Sequence, residues 1–183
     1  MLKKYELIAS DVKGLYRVKA LRDFGDVKAG DVGGYVAGEH NLSHEGNCWV
    51  YDDAVICGNA WVSGNAAISG YACVYNNAHV SGNACVSGNA CVSGNACVSG
   101  NAHVSDKARV YDNAWVYGNA RVSGNACVSG NAFVYDNANI SNTSDCFVVG
   151  PALSSGRYTT VHKTEEGYQI NCGCYTTDSI KEF

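Results

Sequence analysis

From residue 50 to residue 140 an aliphatic side chain recurs every six residues: Val50, Ile56, Val62, Ile68, Val74, Val80, Val86, Val92, Val98, Val104, Val110, Val116, Val122, Val128, Val134 and Ile140. Alanine follows four residues after almost every one, from Ala54 to Ala138. Between them stand polar pairs, typically Gly-Asn, Asp-Asn or Asn-Asn. The unit reads Ala-x-Val-Ser, then Gly-Asn. Side chains of a strand alternate between faces, so Ala and Val point one way while x and Ser point the other. Gly and Asn tolerate positive φ and supply a corner. A short strand and a corner, repeated, make a coil whose small residues point inward. One coil cannot bury its apolar face alone, so coils stack in parallel. Proline would delete a ladder donor, and the only proline, Pro151, lies beyond the repeats.

The tandem [Val/Ile]-x-x-x-Ala-x resembles the hexapeptide repeat of left-handed parallel β-helices. That resemblance, not the spacing, implies the left hand and a triangular coil of three hexads, about eighteen residues. A pentapeptide solenoid is excluded by the period. The expected fold is therefore all-β, a left-handed parallel β-helix of about five coils, roughly 25 Å long at about 4.8 Å per coil. An N-terminal capping segment takes residues 1–47, the repeats 48–144, and a small C-terminal β-hairpin module 145–183. Val, Ile and Ala fill the interior, so function is expected on the outer faces, at the ends or in the flanking segments.

Residues eighteen apart stack on one face and give three outward columns. The first is Trp49, Ala67, Cys85, His103, Arg121 and Asn139. The second is Val55, Cys73, Cys91, Arg109 and Cys127. The third is Trp61, His79, Cys97, Trp115 and Phe133, joined by Tyr117 and Tyr135 at serine-type positions. This third column is an aromatic stripe, and an exposed apolar stripe marks a partner surface. Hexapeptide proteins commonly assemble as trimers with prisms side by side, so the resemblance implies a homo-oligomer, a trimer favoured, with these seven residues at the interface. The plainer reading is that aromatics shield the ladder and suit β structure.

Composition narrows the partners. The net charge is −4, and no block of like charge interrupts the 183 residues. That argues against a nucleic-acid duplex or an anionic membrane surface. No run approaches the roughly 18 apolar residues of a membrane helix. Two early lysines, Lys3 and Lys4, are followed by no apolar h-region, so no signal peptide is expected. There are ten cysteines. Cys73, Cys85, Cys91, Cys97 and Cys127 take outward positions and Cys48 a small inward one, the placement of free thiols in a reducing cytoplasm. Stacked pairs (Cys73 with Cys91, Cys85 with His103, His79 with Cys97) offer two ligands where structural zinc takes four. No metal or cofactor is expected.

Acyltransferases among the hexapeptide proteins resemble one another in a catalytic histidine at a subunit boundary, often beside a loop thrown out from a coil. Here His79 and His103 are the only coil histidines, and no insertion interrupts residues 50–140. No catalytic residue is assigned. Ice binding, which needs regular threonine ranks, does not suit outward Cys-x-Ser pairs broken by Arg, His, Trp and Tyr.

The flanks carry their own signals. Residues 15–21 alternate as a strand, and "DFGDVKAGDVGGYV", 23–36, reads as glycine-rich turn. Leu42 and Ser43 open a hexad with His44 and Glu45 inserted. "ALRDFGDVKAGDVGGYV" followed by "NLSHEGNCWVYDDA" resembles the leader of a family of phages, prophages and bacteria that includes the YdcK-like proteins, often labelled transferase-like or polymer-forming. After Ile140 the period ends, and residues 147–183 read as three strands, two of them flanking a Glu165-Glu166-Gly167 turn. A speculative site for a small anion lies here: Ser154, Ser155, the Gly156 amide and Arg157 match a phosphate or carboxylate, with Cys172 and Cys174 on one strand face near His162. A turn and a capping hairpin is the plainer account.

The functional expectation is a non-catalytic, oligomeric scaffold or binding module of phage or prophage type. Two alternatives stand beside it. One is a host-interaction or anti-defence protein binding a host factor or signalling nucleotide; the other is a degenerate hexapeptide acyltransferase.

Overall fold

A computed structural model describes residues 3–152, 157–172 and 175–177. Every outward x and inward Val or Ile of the repeats forms a two-residue strand, from β4 (Trp49–Val50) to β19 (Asn139–Ile140). Each strand pairs in parallel with the strand three hexads away, as Cys91 with Cys73 and Arg109, or Cys97 with His79 and Trp115. The result is a three-faced β-solenoid of about six turns. Inward Val and Ile from Val50 to Ile140 have no exposed surface, and the alternating alanines are at most 1% exposed. The interior is close-packed side chain, as the pattern requires.

The sixth turn comes from the N-terminal segment. Strands β1 (Tyr5–Ala9), β2 (Tyr16–Ala20) and β3 (Val32–Val36) form an antiparallel sheet. The far edge of β3 then pairs in parallel with β5 (Val55–Ile56), so Tyr35 and Val36 begin the second face, that of the Val55 column. Leu42 bridges Val62 on the next face, as the interrupted hexad predicts. The glycine-rich reading of residues 23–36 is thus corrected for its last five residues, which are strand. Gly33 and Gly34 are not turn glycines, because neither has positive φ. A Cβ on Gly33 would collide with the Val50 carbonyl oxygen and sit 2.9 Å from the Trp49 ring. On Gly34 it would lie 2.7 Å from Val50 Cγ1. They are glycine because β3 lies flat against the coil behind it.

The other end is closed by an antiparallel sheet of four strands: β20 (Cys146–Ala152), β21 (Arg157–Thr164), β22 (Gly167–Cys172) and β23 (Tyr175–Thr177). The sequence predicts three; the fourth is the short strand after residue 174. Thr160 Oγ1 accepts the Phe133 amide at 3.0 Å, and Thr164 bridges Ala138, so the sheet satisfies ladder groups that the last coil leaves open. Among the described residues there is no α-helix.

Candidate functional site

The third face is built on β6 (Trp61–Val62), β9 (His79–Val80), β12 (Cys97–Val98), β15 (Trp115–Val116) and β18 (Phe133–Val134). The buried valine of each strand fixes its outward neighbour in register, so the five residues stand in one column. Trp61 remains 44% exposed, Trp115 47% and Phe133 43%. The rings engage one another along the column. Trp61 meets His79 edge-on at 5.6 Å, and Trp115 stacks on Phe133 at 6.0 Å. Beside them Tyr117 stacks on Tyr135 at 5.0 Å and 17°. Cys97, half-buried, is the gap between the two ring groups. Burial raises the Cys97 thiol above its ordinary value, so it holds little reactive thiolate at neutral pH.

The stripe is anchored to the C-terminal sheet. Tyr135 donates to Asn171 Oδ1 at 2.6 Å and meets the His162 ring at 5.8 Å. His162 has no exposed surface, and its Nδ1 lies 3.2 Å from Asn171 Nδ2. Its Nε2 is buried without a hydrogen bond, as is Gln169 Oε1. Burial holds the imidazole below its ordinary pKa. His162 therefore reads as a neutral packing residue of the cap.

Of the other residues proposed for an anion site, Ser154, Ser155, Gly156, Cys174 and the Arg157 side chain lie outside the described residues. Cys172 pairs in register with Thr159, and His162 with Gln169. By strand alternation these two pairs face opposite sides of the sheet. His162 and Cys172 are therefore not brought together. His103 stands on the first face between Cys85 and Arg121, away from the stripe. The nine described cysteines are free thiols. Among the described residues no three His, Cys, Asp or Glu side chains converge as a metal site.

One cluster escapes sequence reasoning. Lys4, adjacent to strand β1, is fully buried and donates to the Cys48 carbonyl oxygen at 2.9 Å and to Cys48 Sγ at 3.3 Å. Its ammonium lies 5.0 Å from the centre of the Phe24 ring. Tyr5 beside it stacks on His44 at 4.2 Å and donates to the Leu42 carbonyl at 2.7 Å. Burial lowers the Lys4 pKa and raises that of Cys48. Nothing in the local sequence marks Lys4 as buried, since its partners are some forty residues away.

Comparison with known proteins bears on the repeats. The "YdcK Beta solenoid repeat" pattern matches residues 108–124, 114–130 and 120–136. A protein of Escherichia coli (strain K12) named "Uncharacterized acetyltransferase YdcK" is 46% identical over 52 residues. That stretch is 25% of this chain and 16% of that protein, so the chain matches only a small part of its relative. Residues 108–136 of the three-faced solenoid thus match the YdcK β-solenoid repeat, and the fold they share with the other coils is that of a β-solenoid.

Proposed function

We propose that the protein is a non-catalytic scaffold of phage or prophage type that assembles side by side with copies of itself through the third face. The observation that carries this reading is the column of half-exposed rings, Trp61, Trp115 and Phe133, held by five consecutive rungs. Aromatic side chains give large contact area at low entropic cost, and they are enriched at protein interfaces. A flat, rigid ladder also needs no reorganisation before it docks, which keeps the ordering cost of association small.

The native mass of the reduced protein tests the reading, for wild type and for the Trp61→Ala/Trp115→Ala double variant. A wild-type oligomer, trimer favoured, that falls to monomer in the variant is expected. A wild type that stays monomeric at high concentration overturns the self-assembly reading.

The rival is a degenerate acyltransferase, favoured by the name of the E. coli relative, an uncharacterized acetyltransferase. Side-by-side packing would place His79 at a subunit boundary, where such a mechanism needs a general base. Acetyl transfer from acetyl-coenzyme A to amine acceptors, lost in His79→Ala, would establish that rival.

A further inference from the structure

A second face carries a slot that the aromatic column does not explain. Serine-type positions of the second face, that of the Val55 column, run Cys57, Tyr75, Ser93, Tyr111 and Ser129, one per coil. Tyrosine thus alternates with serine. On the third face, tyrosines on successive rungs, Tyr117 and Tyr135, stack at 5.0 Å. Tyr75 and Tyr111 are two rungs apart, about 10 Å. That is two aromatic stacking steps of about 5 Å each, so one ring is missing between them.

Both hydroxyls reach toward the later coil. Tyr75 interacts with Ser93 and Cys91, and Tyr111 accepts from Cys127 Sγ at 3.3 Å. Because both rings lean the same way, the two-rung separation is kept. A groove of about 580 Å³ lies between them, lined by Tyr75, Cys91, Ser93, Arg109 and Tyr111 among others. Ser93 forms its floor at 8% exposure. Arg109 projects at the rim, two residues before Tyr111 on the same face, between Cys91 and Cys127 in register. Arg109 takes part in none of the ion pairs among the described residues. The carboxylate at the rim, Asp112, is turned to the next coil, where its Oδ2 accepts the Gly130 amide at 3.1 Å.

We infer that this slot binds a flat aromatic ring carrying a phosphate or carboxylate, the ring seated between Tyr75 and Tyr111 and the anion on the Arg109 guanidinium. Stacking on two rings supplies the seat, and the guanidinium fork supplies the selectivity for an anion. The ring must be planar, because the gap has the depth of a single stacking step on either side. The site lies on a different face from the aromatic column, so it is independent of the assembly proposed above.

The test is ligand-observed NMR titration of the full-length protein with naphthyl phosphate, with naphthol and inorganic phosphate as its separate halves. Naphthyl phosphate is expected to bind saturably, at least about tenfold more tightly than either half. Arg109→Gln should bring naphthyl phosphate down to the level of naphthol. Ser93→Tyr completes the ring ladder and should abolish binding without lowering the melting temperature, since tyrosines already stack on successive rungs elsewhere. No saturable binding to wild type, equal binding of inorganic phosphate alone, or undiminished binding by a folded Ser93→Tyr variant would each overturn the inference.

Discussion

Each corner of the coil needs a left-handed backbone, and two glycines separate the two reasons for glycine there. Gly100 has φ +70°, and a Cβ added to it would lie 2.9 Å from the Gly118 backbone nitrogen on the next coil. Gly130 has φ +65° and open space around it. Gly130→Ala should therefore cost only the left-handed penalty, about 1 kcal/mol. Gly100→Ala adds a collision with backbone that cannot give way, and should cost about 2–3 kcal/mol. Urea unfolding of the two variants checks the difference; equal midpoints would mean that the close approach of the coils is not felt. Where the corner is not glycine it is Asp or Asn, at 52, 76, 106, 112 and 136, with φ from 55° to 61°. This choice was legible, because few other residues accept that conformation. The side chains then add something the pattern does not announce: Asp52 Oδ2 accepts the Gly70 amide at 2.9 Å, and Asp106 Oδ2 the Gly124 amide at 3.0 Å. Lys4 lies at the other extreme. A buried lysine has no periodicity to betray it, and only the fold brings it to Cys48.

Elements in this protein are rungs, and asparagine ties them along two of the three edges. Asn59, Asn77, Asn95, Asn113 and Asn131 form one ladder, each Nδ2 donating to the next Oδ1 at 3.0–3.3 Å. Asn65, Asn83, Asn101 and Asn119 form a second. The third edge reads Asp53, Tyr71, Asn89, Lys107 and Asn125, and has no such ladder. Asn95→Ala removes two exposed side-chain hydrogen bonds, to Asn77 and Asn113, and should cost about 1 kcal/mol. Asn125→Ala, outside any ladder, should stay within about 0.5 kcal/mol. Thermal unfolding distinguishes them, and equal losses would deny the ladders a role. The rungs themselves were legible because the six-residue period, taken with the three hexads per coil that the resemblance implies, sets the stacking register, so Trp61, His79, Cys97, Trp115 and Phe133 could be placed on one face from the sequence. Strand β3 was not. Its glycines signal turn locally, and only packing against Val50 and Trp49 makes them strand residues. The Tyr75–Ser93–Tyr111 alternation was visible in the sequence at a spacing of thirty-six residues, but an alternation gains meaning only once neighbouring tyrosines are seen to stack.

At the scale of the molecule, a solenoid is as stable as the ends that close it, and each end holds a histidine partly or wholly removed from water, His44 half-buried and His162 fully buried. Burial depresses the His44 and His162 pKa values below the ordinary 6.5. The unfolded chain therefore takes up protons first as pH falls. Stability present above about pH 6.5 is lost below it, down to the folded values. The urea midpoint should drop between about pH 7 and about pH 5, and His162→Gln should flatten that dependence. A midpoint that rises on acidification would reverse the assignment of both histidines as neutral. The central coils hold no buried histidine, so the loss belongs to the caps. What closes the ends is visible in the fold; what covers the side is the claim that remains, and the tryptophans report on it directly. Of three tryptophans, Trp49 is 2% exposed beneath Phe24 and Tyr5, while Trp61 and Trp115 stand on the third face. The decisive measurement is iodide quenching of tryptophan fluorescence across a dilution series, alongside native mass. Self-assembly through the third face predicts weak quenching where the protein is oligomeric, and strong quenching of two of the three tryptophans as it dissociates. Full quenching of Trp61 and Trp115 in an intact oligomer would contradict the account and move the interface elsewhere.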